Sequence, residues 1–362
     1  MSLIENIKSL KDKHNIFLIS SGEGYLKNNF DKLLKKKHHY NFKIFSWIAK
    51  KFDNSFLLSF LYRLLLLPFH LINFFKIFYI FKKIKCDVVI TNTIYIIEPT
   101  LVAKLLKVKS FIFARELINN PYYEYNFSKK FIVKFILKNT NFLCFNSTTT
   151  QNSFNEFIEK KELKKCHVIP NIIKKNKSNK NLKKYLNLKN DNKVILTASW
   201  INKTKKIEDF IKLSKNLNNQ FTFVLFGDYG SDNIYNKKIK KLLMKNKHII
   251  HKKSLPNIQS YMSSADYIVS MGYMDSFNRL IAEAMLEKSI VLTLKHSACK
   301  DYIKNDYNGY LLNKISDFEK IIKKIDKNKK KKYQIKLNAY NTINNKFSNK
   351  AVLQKLEKLI YE

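Results

Sequence analysis

The chain has 362 residues, of which 45% are hydrophobic and 27% are charged, which is typical of a globular protein and long enough for two ordinary domains. The formal net charge of +40 invites a nucleic-acid interpretation, but the excess is almost all lysine, and the only arginines are Arg63, Arg115 and Arg279. This bias is typical of low-GC codon usage and argues against a nucleic-acid groove, although the positive field favours anionic membrane surfaces and negatively charged small substrates.

Short apolar runs recur in both halves of the chain, each followed by turn residues and a lysine-rich amphipathic stretch. This alternation predicts strands and helices arranged around parallel sheets. The strands predicted in the first half are residues 16–19, 88–91, 111–113, 142–146 and 168–169. Those predicted in the second half are residues 194–197, 223–226, 249–251, 267–270 and 290–293.

A polar segment, residues 171–192, separates the two sets of strands and predicts a linker. We therefore expect an α/β protein with two doubly wound Rossmann-like domains facing across a cleft. The N-terminal domain would cover residues 1–172 and the C-terminal domain residues 185–344. The last helix, over about residues 345–362, could pack back on the N-terminal domain.

Residues 56–81 depart from this pattern, because they are dense in Leu, Phe, Ile and Tyr and are broken by Arg63, Pro68, His70 and Lys76. Their longest uncharged run is shorter than the roughly 20 apolar residues that a bilayer crossing needs. Two interpretations stay open. The segment is either a pair of buried helices in the first domain or a membrane-facing surface that admits a lipid-linked acceptor.

The most informative stretch runs from Asp275 to Met285, where two acids eight positions apart bracket a predicted helix start. Ser276 is the expected N-cap, which places Glu283 about two turns into the helix. Arg279 then lies in the first turn, where the helix dipole disfavours a cation by roughly 0.3–1 kcal/mol. Its position therefore indicates an anion such as a diphosphate at that end of the helix.

Three loops after predicted strands add candidates. Lys205 could neutralise a diphosphate leaving group together with Arg279, which is work that a metal does elsewhere. Gly227 marks either a close approach to a ligand or a plain turn. Gly22 and Gly24 form a short glycine-rich loop at the corresponding edge of the first domain, in a pattern too loose for a phosphate-binding fingerprint.

The cellular setting follows from two further features. The cysteines are scattered without a spacing suited to zinc or a redox pair, so they indicate core thiols in a reducing compartment: Cys86, Cys144, Cys166 and Cys299. Residues 1–10 lack the apolar core of a secretory signal. We expect a cytoplasmic protein, which could sit on the inner face of the cytoplasmic membrane, with no metal cofactor.

The second half, from Val194 to about Leu312, resembles the donor-binding domain of retaining family 4 glycosyltransferases, which have the GT-B fold. The matching landmarks are Val168-Ile169-Pro170-Asn171, the loop through Lys205, Phe226-Gly227-Asp228, Ser264-Ala265-Asp266, the stretch from Asp275 to Glu283, and Asn308-Gly309-Tyr310-Leu311. The first half is similar more weakly, through Asp87-Val88-Val89-Ile90, Ala114-Arg115-Glu116-Leu117 and Phe145-Asn146-Ser147.

The resemblance implies roles for individual residues. Glu283 would hold the ribose hydroxyls and Asp275 would touch the donor sugar. Backbone amides around Phe277 and Asn278, together with Lys205, would hold the diphosphate.

The sequence also departs from the family pattern. Asp275 replaces the usual glutamate, and Trp200 stands where a phosphate-binding arginine is normal, so Arg279 could compensate. Asn278 occupies a common glycine position. Arg115 stands near where many members carry a histidine beside the reacting centre, so Arg115 and Glu116 are acceptor-side candidates unless they merely pair with each other.

The predicted function is that of a retaining hexosyl- or glycosyltransferase that uses a nucleotide diphosphate sugar. The acceptor would be a carbohydrate or lipid-linked saccharide, in the synthesis of cell-surface lipopolysaccharide, capsule or exopolysaccharide. We expect peripheral contact with an anionic membrane and no nucleic-acid partner. The alternatives are a non-catalytic basic protein that binds nucleic acid or membranes, and an inactive GT-B relative, which Trp200 and Asp275 suggest.

Overall fold

The computed structural model describes residues 2–22, 25–34, 36–48, 56–176, 178–217 and 219–362. The chain divides into two compact units. Unit 1 comprises Met1–Ile172 and Val352–Glu362, and unit 2 comprises Ile173–Ala351. The last helix of the chain therefore lies mostly in unit 1.

Unit 1 alternates helices with short strands. Its helices are α1 (Ser2–Leu10), α2 (Tyr25–Leu33), α3 (Phe56–Ile84), α4 (Glu98–Leu105), α5 (Lys129–Asn139), α6 (Thr148–Phe154) and α14 (Asn349–Tyr361). Its strands are β1 (Leu18–Ser20), β2 (His39–Asn41), β3 (Val88–Thr91), β4 (Lys109–Ala114), β5 (Phe142–Phe145) and β6 (Cys166–Val168).

The described residues of unit 1 form two parallel sheets. Strands β3, β4, β5 and β6 form a four-stranded sheet in that order, and β1 pairs with β2 separately. Residues of β4 from Ser110 to Ala114 are buried, as expected for a central strand covered on both faces. Phe111 and Phe113 of this strand share an apolar cluster with the α14 side chains Val352, Leu353, Leu356 and Leu359.

The apolar segment that starts at Phe56 is a single helix, α3, which carries Pro68 in its interior. The interpretation as a pair of buried helices is therefore wrong, because tertiary packing covers one face only. Buried positions are spaced by seven, four and three residues at Leu66, Asn73, Ile77 and Ile80, and Phe81 follows directly. By length and composition alone Leu61–Ile84 could cross a membrane, contrary to the expectation from its uncharged run. In an apolar stretch of 18 residues within it, 28% is buried.

Unit 2 is also an α/β unit. Its helices are α7 (Leu182–Tyr185), α8 (Ile207–Leu217), α9 (Asn233–Lys245), α10 (Gln259–Met262), α11 (Arg279–Leu286), α12 (Ile315–Asp326) and α13 (Lys329–Phe347). Its strands are β7 (Val194–Ala198), β8 (Thr222–Phe226), β9 (Ile249–Lys252), β10 (Tyr267–Ser270), β11 (Ile290–Leu294) and β12 (Tyr310–Leu312).

The six strands that the structure describes in unit 2 lie parallel, in the order β9-β8-β7-β10-β11-β12. The chain builds outward from β7 to β9 and then returns to the centre to start β10, so the strand order reverses between β7 and β10. In the register of this central pair, Tyr267 lies opposite Ile195 and Ile268 opposite Leu196. This order is that of a Rossmann-like sheet, and such a reversal is where these sheets bind ligands.

Helices cover both faces of the unit 2 sheet. One apolar cluster joins the sheet to α8, α9 and α12, with Phe210, Phe223 and Phe318 fully buried in it. The other joins the opposite face to α10, α11 and α13, around Met262 and Met285. Because helices cover both faces, every residue of β10 and β11 is buried, rather than every second one.

Each predicted strand overlaps an observed one. The observed strands β2 and β12 lie outside the predicted set, because each has only three residues and one pairing partner. Such a run is too short to show a period of two. The predicted α/β class with parallel sheets is confirmed.

Gly227 lies directly after β8, where the backbone of the β7 loop passes very close. A Cβ atom at this position would lie 2.0 Å from the carbonyl oxygen of Ser199. Main-chain bonds hold the contact, with Ser199 N donating to Phe226 O at 3.0 Å and Gly227 N donating to Lys252 O at 3.0 Å. The approach of the chain to itself thus accounts for this glycine.

Substituting Gly227→Ala is expected to destabilise unit 2 by about 1–3 kcal/mol, because the added methyl group overlaps backbone that cannot move alone. Thermal unfolding followed by circular dichroism should show a lower midpoint. Gly230→Ala is the matched control, since its Cβ would lie 3.1 Å from the carbonyl oxygen of Ile201 and should cost less. Equal midpoints for Gly227→Ala and the unsubstituted chain would contradict this account.

Candidate functional site

The strand-order reversal in unit 2 brings two predicted site residues together. The loop after β7 carries Lys205 and the loop after β10 carries Asp275. Lys205 Nζ lies 2.5 Å from Asp275 Oδ1, and both side chains are largely buried. Because β7 and β10 are neighbours, residues 70 positions apart form a direct ion pair at the carboxyl edge of the sheet.

The β7 loop is shaped by Asn202, which was not among the predicted site residues. Its side chain caps a 3₁₀ turn over Lys203–Lys205 by accepting from Lys205 N at 3.2 Å and from Thr204 Oγ1 at 2.7 Å. Tyr273 N in the β10 loop donates to Thr204 O at 2.7 Å. The turn that presents Lys205 is therefore fixed to the neighbouring loop through the main chain.

Asp275 is held by its own backbone and by the loop after β11. Met274 N donates to His296 O and Ala298 N donates to Asp275 O, each at 2.9 Å. Gly272 leaves room for the carboxylate, since a Cβ there would lie 2.4 Å from Asp275 Oδ2. That oxygen is buried and has no hydrogen-bond partner among the described residues, so it can accept a bond from a ligand hydroxyl.

Helix α11 begins later than predicted. Its N-cap is Asn278, whose side-chain oxygen accepts from Ile281 N at 3.4 Å. The prediction of Ser276 as the N-cap is wrong, because Asn278 adopts a left-handed conformation (φ 51°) that turns the chain into the helix. Arg279 is then the first helical residue, and Glu283 lies about one turn into the helix rather than two.

Arg279 and Glu283 form a second ion pair on α11. Arg279 Nε lies 2.5 Å from Glu283 Oε1, and Glu283 is only 5% exposed. Burial raises the pKa of the Glu283 carboxyl above its ordinary value, and the Arg279 guanidinium opposes that shift. Arg279 Nη1 is buried without a hydrogen-bond partner in the described part of the chain, so one donor of this cation is available to an anion.

The other predicted donor-side residues contribute in different ways. The Phe277 ring is buried in a T-shaped contact with Phe347 at 5.3 Å, so only its backbone can face a ligand. Tyr302 Oη donates to the carbonyl oxygens of Phe277 and Asn278 at 3.1 and 3.2 Å. Trp200 is 61% exposed and presents an aromatic ring where an arginine was expected.

The acceptor-side candidates lie in unit 1. Arg115, after β4, donates from Nε to Asn92 Oδ1 at 2.8 Å and from Nη1 to Asn171 Oδ1. The Glu116 carboxylate accepts from Thr93 Oγ1 at 3.2 Å and from Arg115 N at 3.0 Å. Burial raises the pKa of Glu116. The contact between Arg115 and Glu116 thus involves main chain, while the guanidinium binds loops after β3 and β6.

The strand before the glycine loop of unit 1 takes part in a series of side-chain hydrogen bonds. Ser20 Oγ lies 2.7 Å from His39 Nε2, and His39 Nδ1 lies 2.5 Å from Asp31 Oδ1. Gly22 O accepts from Asn41 Nδ2 at 3.1 Å. Gly24 lies outside the described residues. These bonds fix β1 against β2 and α2. No pattern in the sequence had linked the side chains of Ser20, His39 and Asp31.

The described residues contain no group of three His, Cys, Asp or Glu side chains that could hold a metal. The cations at the start of α11 are those of Lys205 and Arg279, each paired with a predicted acid. The site therefore consists of two carboxylates, two cations and a helix N-terminus at the reversal point of a Rossmann-like sheet. This combination suits an anionic ligand that also carries hydroxyl groups.

Comparisons with known proteins relate most of unit 2 to one family. Residues 178–342 match the family model of the glycosyl transferases group 1. No curated protein matches the chain.

Solved structures of GT-B glycosyltransferases share the fold. HepE of Anabaena in complex with UDP-glucose has a TM-score of 0.79 at 16% identity, over 99% of this chain and 94% of that one. A glycosyltransferase from Rickettsia africae ESF-5 has a TM-score of 0.78 at 19% identity, over 99% and 93%. Sucrose-phosphate synthase from Thermosynechococcus elongatus has a TM-score of 0.63 at 16% identity, over 75% and 72%.

Replacing Asn278 by Ala should destabilise unit 2 more than replacing it by Gly. Both variants lose the cap, but alanine must also hold a left-handed conformation, which costs roughly 1–2 kcal/mol for a residue with a Cβ. Urea unfolding of both variants measures this difference directly. Equal free energies of unfolding would show that the left-handed residue at the start of α11 has been assigned wrongly.

Proposed function

We propose that the chain is a GT-B glycosyltransferase of family 4 that transfers a sugar from a nucleotide diphosphate sugar, with retention of configuration, to a saccharide or lipid-linked saccharide. The observation that carries this proposal is the pair of ion pairs at the strand-order reversal, Lys205 with Asp275 and Arg279 with Glu283. The match of residues 178–342 to the glycosyl transferases group 1 supports it. HepE, which shares the fold, has been solved with UDP-glucose.

The diphosphate would bind at the start of α11. Amides of the first helical turn are free of intrahelical partners at this end, and the helix dipole favours an anion there. Arg279 offers its unpartnered Nη1, and Lys205 approaches from the β7 loop. In the free chain the carboxylates of Asp275 and Glu283 neutralise these two cations. An anion bound between the cations would interact with them alongside the carboxylates.

The carboxylates would bind the two sugars of the donor. Asp275 Oδ2, buried and unpartnered, can accept a hydroxyl of the transferred sugar. Glu283, further along α11, can accept ribose hydroxyls while Arg279 holds its Oε1. A charged acceptor binds a hydroxyl about 1.5–3 kcal/mol more favourably than no partner would.

Chemistry would follow from stabilising charge rather than from a strong protein nucleophile. When the bond between the anomeric carbon and the phosphate oxygen breaks, negative charge builds on the departing diphosphate. Lys205, Arg279 and the α11 amides would stabilise that charge, so no metal is needed. The acceptor hydroxyl would attack from the face that the diphosphate leaves and would give its proton to the departing phosphate oxygen. Attack from that face retains the anomeric configuration.

We place the acceptor side on unit 1, with Arg115, Glu116 and the Gly22 loop as candidates. The proposed setting is cell-surface polysaccharide synthesis on the cytoplasmic side of the membrane, without a nucleic-acid partner. Two observations favour a second candidate function, that of an inactive relative that only binds the donor. Trp200 is exposed where an arginine was expected, and the first acid is the shorter Asp275.

Variants Asp275→Asn and Glu283→Gln test the proposal. With a panel of UDP, GDP and ADP sugars and short saccharide acceptors, we expect Asp275→Asn to lower kcat and Glu283→Gln to raise KM for the donor. Losing a charged hydrogen bond of roughly 1.5–3 kcal/mol corresponds to about a 10- to 100-fold effect in each case. Nucleoside diphosphate release measures turnover, and proton NMR of the product measures retention.

Glu287→Gln is the matched control. Glu287 is also buried at the end of α11, but its carboxylate accepts from Asn176 N and Gln259 Nε2 rather than from Lys205 or Arg279. Activity per folded molecule should be unchanged in this variant. If Asp275→Asn and Glu283→Gln behave like the control, the donor site is wrong. Donor binding without turnover in the unsubstituted chain would instead support the inactive relative.

A further inference from the structure

Helix α3 exposes a continuous apolar surface. Along it the following side chains are each at least 45% exposed: Leu61, Leu64, Leu65, Leu67, Phe69, Leu71, Ile72, Phe75 and Tyr79. We call this set the outer face of α3. Its part from Leu61 to Phe75 is about 21 Å long at 1.5 Å per residue. A contiguous apolar surface of this kind marks a place where another molecule or a membrane docks.

The opposite face of α3 is fixed to unit 1. Ile77, Ile80 and Phe81 share an apolar cluster with Val89 of β3 and with Val102 and Ala103 of α4. This packing covers the second half of the helix. Its buried residues cannot leave unit 1 without exposing that cluster to solvent or lipid.

Two polar contacts hold the middle of α3, on the face that packs against unit 1. Asn73 Nδ2 donates to Lys43 O at 2.9 Å, and His70 Nδ1 lies 2.6 Å from Glu98 Oε1. Asn73 is 4% exposed and Glu98 is 3% exposed. Crossing a bilayer would leave these buried polar groups unpaired, which is costly in hydrocarbon. The helix can therefore offer its outer face to a membrane surface but is not built to span one.

The charges around the outer face of α3 indicate which kind of surface docks there. Residues 56–84 contain no Asp or Glu. Lys76, Lys82 and Lys83 are exposed in the second half of α3, beside Tyr79. Lysines and a tyrosine that flank apolar side chains fit the headgroup region of a bilayer, and lysines favour anionic lipids. A second copy would bring a net charge of +40 against the same charge, which disfavours self-association.

We propose that α3 anchors the protein to an anionic membrane as a monotopic helix. Its outer face would enter the boundary between headgroups and acyl chains, with the helix axis parallel to the membrane plane and the three lysines among the headgroups. This surface lies within unit 1 and does not depend on the donor site in unit 2. The partner is the lipid surface itself.

Vesicle co-sedimentation of the full chain tests the anchor. Binding should be at least about 10-fold stronger to vesicles with 30% phosphatidylglycerol than to pure phosphatidylcholine, because each lysine near the surface contributes about 1 kcal/mol. The triple variant Leu65→Gln, Ile72→Gln, Phe75→Gln keeps the net charge and should lose at least about 10-fold in partitioning, because it removes the apolar contact. All three positions are exposed, so its thermal midpoint should not fall.

The matched control is Ile234→Gln, Met244→Gln, Tyr333→Gln, which changes three large hydrophobic side chains of unit 2 that are, taken together, at least as exposed as those of the first variant. Its binding should equal that of the unsubstituted chain. Equal losses of vesicle binding in both triple variants would overturn the proposal. So would an absence of vesicle binding together with a dimer that depends on α3 in light scattering. Vesicle binding needs no donor, so its failure would leave the donor-site assignment standing.

Depth measurements distinguish a parallel helix from a spanning one. Fluorophores placed at Leu61→Cys and Phe75→Cys, with the labelled unsubstituted chain as background, should be quenched by brominated lipids at the same shallow depth. Two labels that lie at different depths by most of a leaflet would contradict the parallel orientation.

Discussion

The ion pair between Lys205 and Asp275 is the contact on which the proposed site depends. It exists only because the sheet of unit 2 starts again beside β7 after running out to β9, which places the loops after β7 and β10 next to each other. Main-chain bonds from Tyr273 to Thr204 and from Ala298 to Asp275 then fix both loops. The second pair, Arg279 with Glu283, follows because α11 starts from the β10 loop.

Much of this arrangement was predictable because it is local. Apolar runs in parallel strands are buried on both faces, so the strands and the α/β class follow from the sequence, as does the clustering of loops at their carboxyl ends. The start of α11 was not predictable to the residue. Ser276 is a good cap by composition, but the left-handed Asn278 decides where the helix begins. Tyr302, which binds the carbonyls before α11, lies too far along the chain to leave a local signal.

Helix α3 shows why burial cannot be read from hydrophobicity alone. Its apolar residues occur on all sides, so the sequence offers no stripe to separate a packed face from an open one. Contacts with β3 and α4 and the bonds of Asn73 and His70 choose the inner face. The outer face of α3 remains exposed, next to lysines. The two units thus differ in what they present, with two ion pairs at the strand-order reversal in unit 2 and an apolar surface beside lysines in unit 1.

Hydrogen–deuterium exchange with a nucleoside diphosphate such as UDP, GDP or ADP tests the central claim most directly. For the diphosphate that binds, exchange should slow at residues 199–206, which carry Lys205, and at residues 272–281, at the start of α11. Amides of β9, at the sheet edge away from the strand-order reversal, should exchange unchanged. Slower exchange confined to other parts of unit 2, or no change with any of the three, would contradict the account.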